Sequence, residues 1–225
     1  MVYDFHTHTF LSDGVLSPIE LIRRSIIKEY SALGISDHVG VGTMKRVIEE
    51  VGLDCALARE RWQFEAFPGV ELTHVPASSI PDLARQARDL GAAFVVVHGE
   101  TPVEPVEPGT NLAAVSCPYV DILGHPGLLT TEEAELAAEN GVFIEITAKD
   151  GHSLGNGRVV RICQEAGAKM VLDSDAHVPN QLLTEEFARR VARCAGLPER
   201  LLAEVLFDNP AEVARRAAAR LEGGE

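Results

Sequence analysis

The chain has 225 residues, 46% hydrophobic and 24% charged, which is typical of one folded globular domain and excludes a disordered or fibrous protein. Its 34 acidic and 20 basic residues give a formal net charge of −14, so a long nucleic acid is an unfavourable partner. No apolar run reaches the roughly 18 residues of a membrane span, and the N-terminal residues do not resemble a signal peptide. The four cysteines are widely spaced with no CxxC pair, so free thiols and a cytoplasmic location are expected.

Predicted strands and helices alternate along the chain, and no repeat or boundary divides residues 1–225, so a single domain is expected. Short segments rich in Val, Ile and Phe predict strands, and the amphipathic segments between them predict helices. In chain order the strands fall at 2–5, 32–36, 66–71, 92–97, 119–123, 142–146 and 169–172. The helices fall at 18–30, 43–65, 80–90, 110–116, 131–140, 158–166, 184–194 and 199–225, and the last is expected to pack around the outside.

Seven apolar strands that alternate with helices predict a parallel sheet buried on both faces. An open doubly wound sheet and a closed barrel are both compatible with this pattern. No G-x-G-x-x-G motif follows the first strand, which argues against a dinucleotide-binding sheet. Three prolines within residues 101–110 predict a stiff surface loop there.

Imidazoles and carboxylates follow the predicted strands at the positions where the strands end. His6 and His8 are two residues apart, so they point to one face of the first strand. Because the carboxyl ends of parallel strands lie on one face of a barrel, all of these side chains are expected to converge there. The set is His6, His8, Asp13, His38, Glu71, His98, His125, Asp175 and His177.

These residue types favour a metal centre. A single histidine after a strand is more often a hydrogen-bonded loop residue, and Ser12-Asp13-Gly14 is also an ordinary turn. Histidines at several strand ends are harder to explain by packing, since an apolar interior tolerates few unpaired imidazoles. Imidazole and carboxylate together suit Zn, Mn or Fe, and nine ligands are too many for one ion, so two or three divalent ions are predicted.

The ordered set of motifs resembles the PHP (polymerase and histidinol phosphatase) family of metal-dependent phosphoesterases. The matches are Asp4-Phe5-His6-Thr7-His8 with Ser12-Asp13-Gly14, Ser36-Asp37-His38, Gly69-Val70-Glu71, His98, Gly124-His125-Pro126 and Ser174-Asp175-Ala176-His177. The resemblance implies an α/β fold, a distorted (β/α)7 barrel, with a trinuclear site. It places the first ion on His6, His8, Glu71 and Asp175, the second on Glu71, His98 and His125, and the third on Asp13, His38 and His177.

The same resemblance implies hydrolysis of a phosphate ester by a metal-bound hydroxide. The expected substrate is a small-molecule phosphate monoester, with histidinol phosphate as a candidate. Asp175 and His177 are the candidates for protonating the leaving group, and Glu100 is expected to orient His98. One alternative is a 3′-5′ exonuclease or nucleotide phosphatase, and another is a non-catalytic, metal-stabilised binding module.

Four further residues are candidates for contact with the substrate. Lys149 and Arg158 flank the glycine-rich loop after the sixth predicted strand, where a cation would hold a phosphate. His74 lies three residues after Glu71, and His152 lies within the glycine-rich loop. A solvated loop histidine is the alternative interpretation of both.

Overall fold

The computed structural model describes residues 1–223 and shows a nearly closed barrel of parallel strands. The strands are β1 (Val2–Asp4), β2 (Tyr30–Ile35), β3 (His38–Val39), β4 (Glu65–Leu72), β5 (Phe94–His98), β6 (Ile122–Gly124), β7 (Phe143–Thr147) and β8 (Met170–Asp173). Seven of them form the barrel in the order β1-β2-β4-β5-β6-β7-β8, and the short strand β3 pairs with the end of β4. The predicted distorted (β/α)7 barrel is confirmed.

Eight α-helices lie within residues 1–223. They are α1 (Pro18–Ile27), α2 (Met44–Trp62), α3 (Ile80–Asp89), α4 (Thr110–Val115), α5 (Thr131–Asn140), α6 (Asn156–Ala166), α7 (Glu185–Cys194) and α8 (Asn209–Leu221). Within the same residues no helix has both the length and the apolar character to cross a membrane. The four cysteines are unpaired, as predicted.

Two helices end earlier than the sequence pattern predicts. The first predicted helix extends to residue 30, but α1 ends at Ile27. Glu29 has a left-handed backbone with φ 60°, which an α-helix cannot continue. The second predicted helix extends to residue 65, but α2 ends at Trp62 because Gln63 is left-handed with φ 48°. Both helices therefore stop short of the strands that follow them.

The two-residue period of the strands explains how the barrel interior is filled. Side chains at i, i+2 and i+4 of a strand point to one side, so Phe67 and Glu71 share a face of β4. Phe94 and His98 share a face of β5 in the same way. Phe67, Phe94 and Phe143 belong to one buried cluster near the N-terminal ends of the strands. Glu71 and His98 consequently lie at the other end of the interior, and this aromatic cluster, here called the aromatic floor, lies beneath them.

Phe94 fills the barrel axis, and glycine at two neighbouring positions leaves room for its ring. A Cβ atom on Gly69 would lie 2.3 Å from the ring, and a Cβ atom on Gly34 would lie 2.5 Å from it. Phe5 packs against Phe94 edge-on, with ring centroids 5.4 Å apart. The polar end of the barrel is thus separated from the opposite opening by close-packed side chains.

The C-terminal segment differs from the single outer helix expected at 199–225. It forms a 3-10 turn at Glu199–Leu201, a π-helical turn at Glu204–Asp208 and then α8. Val213 and Ala217 of α8 join the aromatic cluster inside the barrel, so α8 closes its N-terminal end instead of packing around the outside. Residues 224 and 225 of the expected helix lie outside the described residues.

Two buried carboxylates join β1 to β8 and close the barrel. The Phe5 N–H donates to Asp173 Oδ1 at 2.6 Å, and the Ser174 N–H donates to Asp4 Oδ1 at 3.0 Å. Burial raises the pKa of Asp4 to about 7, and burial together with Asp4 raises the pKa of Asp173 well above its usual value. Further along, Thr7 forms a parallel bridge with Ala176, which brings His6 and His8 beside Asp175.

Candidate metal centre

The centre of the site is a buried group at the carboxyl ends of β1, β4 and β8. His6 Nε2 lies 3.2 Å from Glu71 Oε1, and His8 Nε2 lies 3.2 Å from Asp175 Oδ1. His125, which follows β6, places its Nε2 at 3.7 Å from both Glu71 Oε1 and Asp175 Oδ2. Three imidazoles and two carboxylates thus surround one small space.

Glu145 is a further carboxylate inside the barrel, in the middle of β7. Its Oε2 lies 2.6 Å from His6 Nδ1, and both side chains are fully buried. A carboxylate in this position accepts the Nδ1 proton of His6 and leaves the Nε2 lone pair pointing toward Glu71. Glu145 therefore sets the tautomer of His6 that can bind a metal.

A second group lies at the mouth of the barrel, where Asp13 faces two imidazoles. Asp13 Oδ1 lies 3.4 Å from His38 Nε2 and 3.2 Å from His177 Nε2. Ligand atoms of His8, Asp13, His38 and His177 all lie within 4.8 Å of one another. On the inner side, His38 Nδ1 lies 2.6 Å from Glu71 Oε2, so the two groups share Glu71.

A third group forms around His98 and contains residues from four loops. His98, His125 and His152 bring ring nitrogens within 4.8 Å of one another. Ring nitrogens of His74 and His98 lie within the same distance of each other and of a Glu104 carboxylate oxygen. Glu104 contacts the Nε2 atoms of His74, His98 and His152 at 2.9, 3.2 and 3.2 Å. The structure therefore places His74 and His152, both candidates for substrate contact, beside a carboxylate that the sequence analysis did not single out.

Carboxylates and imidazoles strongly shift one another's pKa values in this site. Burial alone would lower the pKa of His6, but Glu145 and Glu71 hold it well above its usual value. Burial would raise the pKa of Glu71, yet the imidazoles of His6 and His38 hold it well below its usual value. Burial lowers the pKa of His125 well below its usual value. Ionised carboxylates and neutral imidazoles are the forms that bind divalent metals.

Many of the buried ring nitrogens and carboxylate oxygens in this site have no hydrogen-bond partner within residues 1–223. His6 Nε2 and Glu71 Oε1 are 3.2 Å apart, yet neither makes a hydrogen bond of acceptable geometry. Leaving such atoms unpaired costs about 1–3 kcal/mol each, whereas a cation between them would use their lone pairs. Others in the same condition are both ring nitrogens of His8 and of His125, His152 Nδ1 and Asp175 Oδ1. The donor set fits a multinuclear site for divalent metals.

Backbone strain is concentrated at the site. Five non-glycine residues in the described chain have positive φ, and three of them are His74, His125 and Asp175, at φ 52°, 28° and 51°. Such conformations cost on the order of 1–3 kcal/mol each and persist where the surrounding structure enforces them. His125 and Asp175 belong to the buried centre of the site, and His74 belongs to the group around His98.

Lys149 lies at the mouth of the barrel, and Arg158 lies elsewhere. Lys149 Nζ is 2.6 Å from His177 Nδ1 and 3.0 Å from the carbonyl oxygen of Asp175. Arg158 is exposed on α6, and its Nε donates to the carbonyl oxygen of Leu129 at 3.0 Å, outside the groups described above. Lys149 is thus the candidate cation that reaches the histidine cluster.

Glu100 has a different contact from the one expected of it. Its Oε1 accepts hydrogen bonds from the N–H groups of Gly109 and Asn111, at 2.9 and 3.0 Å. The Nδ1 atom of His98 instead contacts the carbonyl oxygen of Gly99 at 3.2 Å. Glu100 therefore closes the loop between β5 and α4, and the backbone orients His98.

Comparison with known proteins relates this chain to proteins described as probable phosphatases. No protein-family model matches it. The uncharacterized protein MJ1295 of Methanocaldococcus jannaschii is 44% identical over 217 residues, covering 96% of this chain and 100% of that protein. A probable phosphatase of Clostridium novyi is 31% identical over 198 residues, covering 79% of each protein. The chain belongs to the PHP family.

The PHP family assignment agrees with the resemblance carried by the sequence motifs. The ribonuclease P protein component 3 of Methanosarcina mazei is 27% identical over 230 residues, covering 95% of this chain and 89% of that protein. A chain in the structure of archaeal ribonuclease P with mature tRNA shares the fold, with a TM-score of 0.68 over 96% of this chain and 92% of that one, at 19% identity. The PHP barrel is therefore found both in probable phosphatases and in a ribonuclease P assembly.

Two site residues of this PHP protein were missed by the sequence analysis. Glu145 interrupts the apolar segment Phe143–Thr147, and the two-residue period from Phe143 would have placed it inside the barrel. Glu104 lies among the prolines of the predicted surface loop, and no periodic pattern there shows which way a side chain points. Its position depends on the path of the loop, which the local sequence does not determine.

Proposed function

We propose that this PHP protein is a metal-dependent phosphoesterase that hydrolyses small-molecule phosphate monoesters, with histidinol phosphate as one candidate. The observation that supports it is the convergence of the nine predicted ligands, with unpaired buried lone pairs, at one end of the barrel. Relatives described as probable phosphatases support the same activity. A cytoplasmic location, inferred from the unpaired cysteines, is part of the proposal.

Three groups of side chains would hold the ions, and His152 is added to the second group on the evidence of its position. They are His6, His8, Glu71 and Asp175; Glu71, His98, His125 and His152; and Asp13, His38 and His177. Divalent ions bound there would acidify water and stabilise negative charge on the phosphoryl group. Glu71 contacts members of all three groups, so it is the residue that connects them.

Lys149 is the side chain best placed to act on the ester oxygens. When His177 uses its Nε2 lone pair for a metal, its Nδ1 carries the proton and donates to the Asp175 carbonyl oxygen, 3.0 Å away. The ammonium of Lys149 then loses its acceptor at His177 Nδ1 and has an N–H free for a phosphate oxygen. Loading the site with metal would therefore release Lys149 toward the substrate.

Asp175 and Lys149 have different roles at the leaving group. Burial would raise the pKa of Asp175, but the imidazoles of His6 and His8 hold it well below its usual range. Asp175 is then ionised at neutral pH, so it binds metal and cannot protonate a leaving group. We assign the proton donor role to Lys149, because its Nζ is an N–H acid at the mouth of the site.

A second candidate function is a non-catalytic role in an RNA-containing assembly. The 27% identity to a ribonuclease P protein component 3 favours it. The net charge of −14 opposes it, because contacts to phosphates of a long RNA require a basic surface. The complete set of converging ligands also favours catalysis over a purely structural role.

The test is phosphate release from a panel of substrates by the full chain loaded with Mn or with Zn. The panel contains p-nitrophenyl phosphate, bis-p-nitrophenyl phosphate, histidinol phosphate, nucleoside monophosphates and a short oligonucleotide. Turnover of monoesters that is lost in Asp175→Asn and in metal-free protein is the expected result. Preferred cleavage of the diester or oligonucleotide would replace the proposal with the nuclease alternative. No hydrolysis of any substrate, with binding of a structured RNA, would favour the assembly role.

A further inference from the structure

Glu104 occupies an unusual position among three histidines that come from different loops. His74 follows β4, His98 ends β5, and His152 follows β7, yet the Nε2 atoms of all three lie within 3.2 Å of the Glu104 carboxylate. Only the contact with His74 has the geometry of a hydrogen bond. In the contacts with His98 and His152, a ring nitrogen lies close to a carboxylate oxygen without an aligned hydrogen bond.

The tautomer of His98 shows what those contacts require. Its Nδ1 lies 3.2 Å from the Gly99 carbonyl oxygen, which can only accept, so Nδ1 carries the proton. In the neutral ring, Nε2 is then a bare lone pair that faces the Glu104 carboxylate. Two acceptors at 3.2 Å repel each other unless a proton or a metal ion lies between them, and the positions of the neighbouring ligand atoms favour a metal ion.

The spacing of these atoms fits ligands of one ion. Two ligands that are each about 2.1 Å from one metal lie about 3.0 Å apart in octahedral coordination and about 3.4 Å apart in tetrahedral coordination. The Nε2 atoms of His74 and His98 lie 2.9 and 3.2 Å from Glu104 Oε2, and His152 Nε2 lies 3.2 Å from Glu104 Oε1. The group thus combines imidazole with carboxylate, the same ligand chemistry as the main site.

The loop that carries Glu104, residues 99–109, is held at its base and lies across the mouth of the barrel. Glu100 binds the N–H groups of Gly109 and Asn111, and Asn111 donates to the Pro126 carbonyl oxygen at 3.1 Å. At its tip, Val103 lies near Gly151 of the loop that contains His152, since a Cβ atom on Gly151 would be 3.5 Å from Val103 Cγ1. The tip of this loop, with Glu104, therefore connects the loops that carry His74 and His152.

We propose that Glu104 is a further metal ligand, which binds the ion held by His98 and fastens loop 99–109 over the site when that ion is present. The inference rests on the metal-dependent function proposed above and adds to it one residue and one moving segment. His74 and His152 then bind this ion or orient Glu104, instead of binding substrate directly.

The experiment compares the full chain with Glu104→Gln and with Glu107→Gln as matched control. Gln at 104 keeps the shape and removes the charge. Glu107 lies on the same loop and is exposed. Among the described hydrogen bonds its side chain accepts only the one from the Ala77 N–H, which an amide oxygen can still accept. Metal-free proteins are titrated with Mn and with Zn by calorimetry, and hydrogen exchange of loop 99–109 is measured with and without the metal.

In the parent chain and Glu107→Gln, metal is expected to slow exchange of loop 99–109. In Glu104→Gln, the metal affinity of one class of site should fall by roughly 10- to 100-fold. Metal should no longer slow hydrogen exchange of loop 99–109 in this variant. Equal affinities and equal loop protection in Glu104→Gln would overturn the inference while leaving the proposed function intact. Absence of metal binding in the parent chain would overturn the proposed function itself. If Glu104→Gln does not fold, hydrogen exchange in the parent chain still tests the inference. Exchange of loop 99–109 that metal does not slow would overturn it.

Discussion

Substitution of Glu145 by Gln tests whether a buried carboxylate sets the metal-binding tautomer of His6. Glu145 Oε2 lies 2.6 Å from His6 Nδ1, and both side chains are fully buried. Gln has the same shape, but its amide can also donate to Nδ1 and stabilise the tautomer whose Nε2 carries a proton. That tautomer has no lone pair left for an ion beside Glu71.

The size of the effect follows from the kind of hydrogen bond that is lost. A buried hydrogen bond to a charged group contributes about 1.5–3 kcal/mol. At about 1.4 kcal/mol per factor of ten in an equilibrium constant, Glu145→Gln should weaken metal binding by roughly 10- to 100-fold. Because Glu145 acts through His6, it is a positioning residue, and monoesterase activity at saturating metal should recover in part.

Calorimetric titration of metal-free protein with Zn and with Mn measures this effect. Glu139→Gln, which removes an exposed carboxylate from α5, is the matched control and should bind as the parent chain does. Thermal unfolding of the metal-free variants separates a loss of affinity from a loss of fold. Metal affinity in Glu145→Gln within about twofold of the parent would refute the tautomer argument.

Three further predictions concern metal, pH and packing. Because the site leaves buried donor atoms unpaired, Mn or Zn should raise the thermal unfolding midpoint, and an unchanged midpoint would contradict the proposed site. Burial would lower the pKa of His38, but the Glu71 carboxylate outweighs burial and raises the pKa of His38 to about 10. A metal must therefore displace its proton, so affinity should rise from pH 6 to 8 with proton release, seen by calorimetry in buffers of different ionisation enthalpy. Gly69→Ala should destabilise by about 1–3 kcal/mol in urea unfolding, since its Cβ would lie 2.3 Å from Phe94, whereas Gly52→Ala, in open space on α2, should stabilise.

The site ligands could be predicted from the sequence wherever they follow a strand. His6, His98 and Asp175 stand at the ends of apolar segments, and parallel strands bring their carboxyl ends to one face. Strand periodicity fixes which side of the sheet a residue faces, so convergence does not depend on details of packing. Strand periodicity also indicates the position of Glu145, whose spacing from Phe143 places it inside the barrel.

Other parts of the molecule depend on contacts between segments that are far apart in the chain. The sequence pattern made Lys149 and Arg158 equal candidates, but Lys149 reaches His177 while Arg158 binds the Leu129 carbonyl oxygen. The final helix has an amphipathic pattern that fits either the outside of the barrel or its N-terminal opening, and packing against the aromatic floor decides for the opening.

The alternation of strands and helices follows from the local sequence pattern, and so does the face on which the strand-end ligands gather. The position of Glu104 among His74, His98 and His152 depends instead on contacts between distant segments of the folded chain. Local propensity and periodicity act over a few residues, so they direct side chains within a strand. The path of loop 99–109 is set by its anchors on Asn111, Pro126 and Gly151, and those contacts exist only once the barrel has formed.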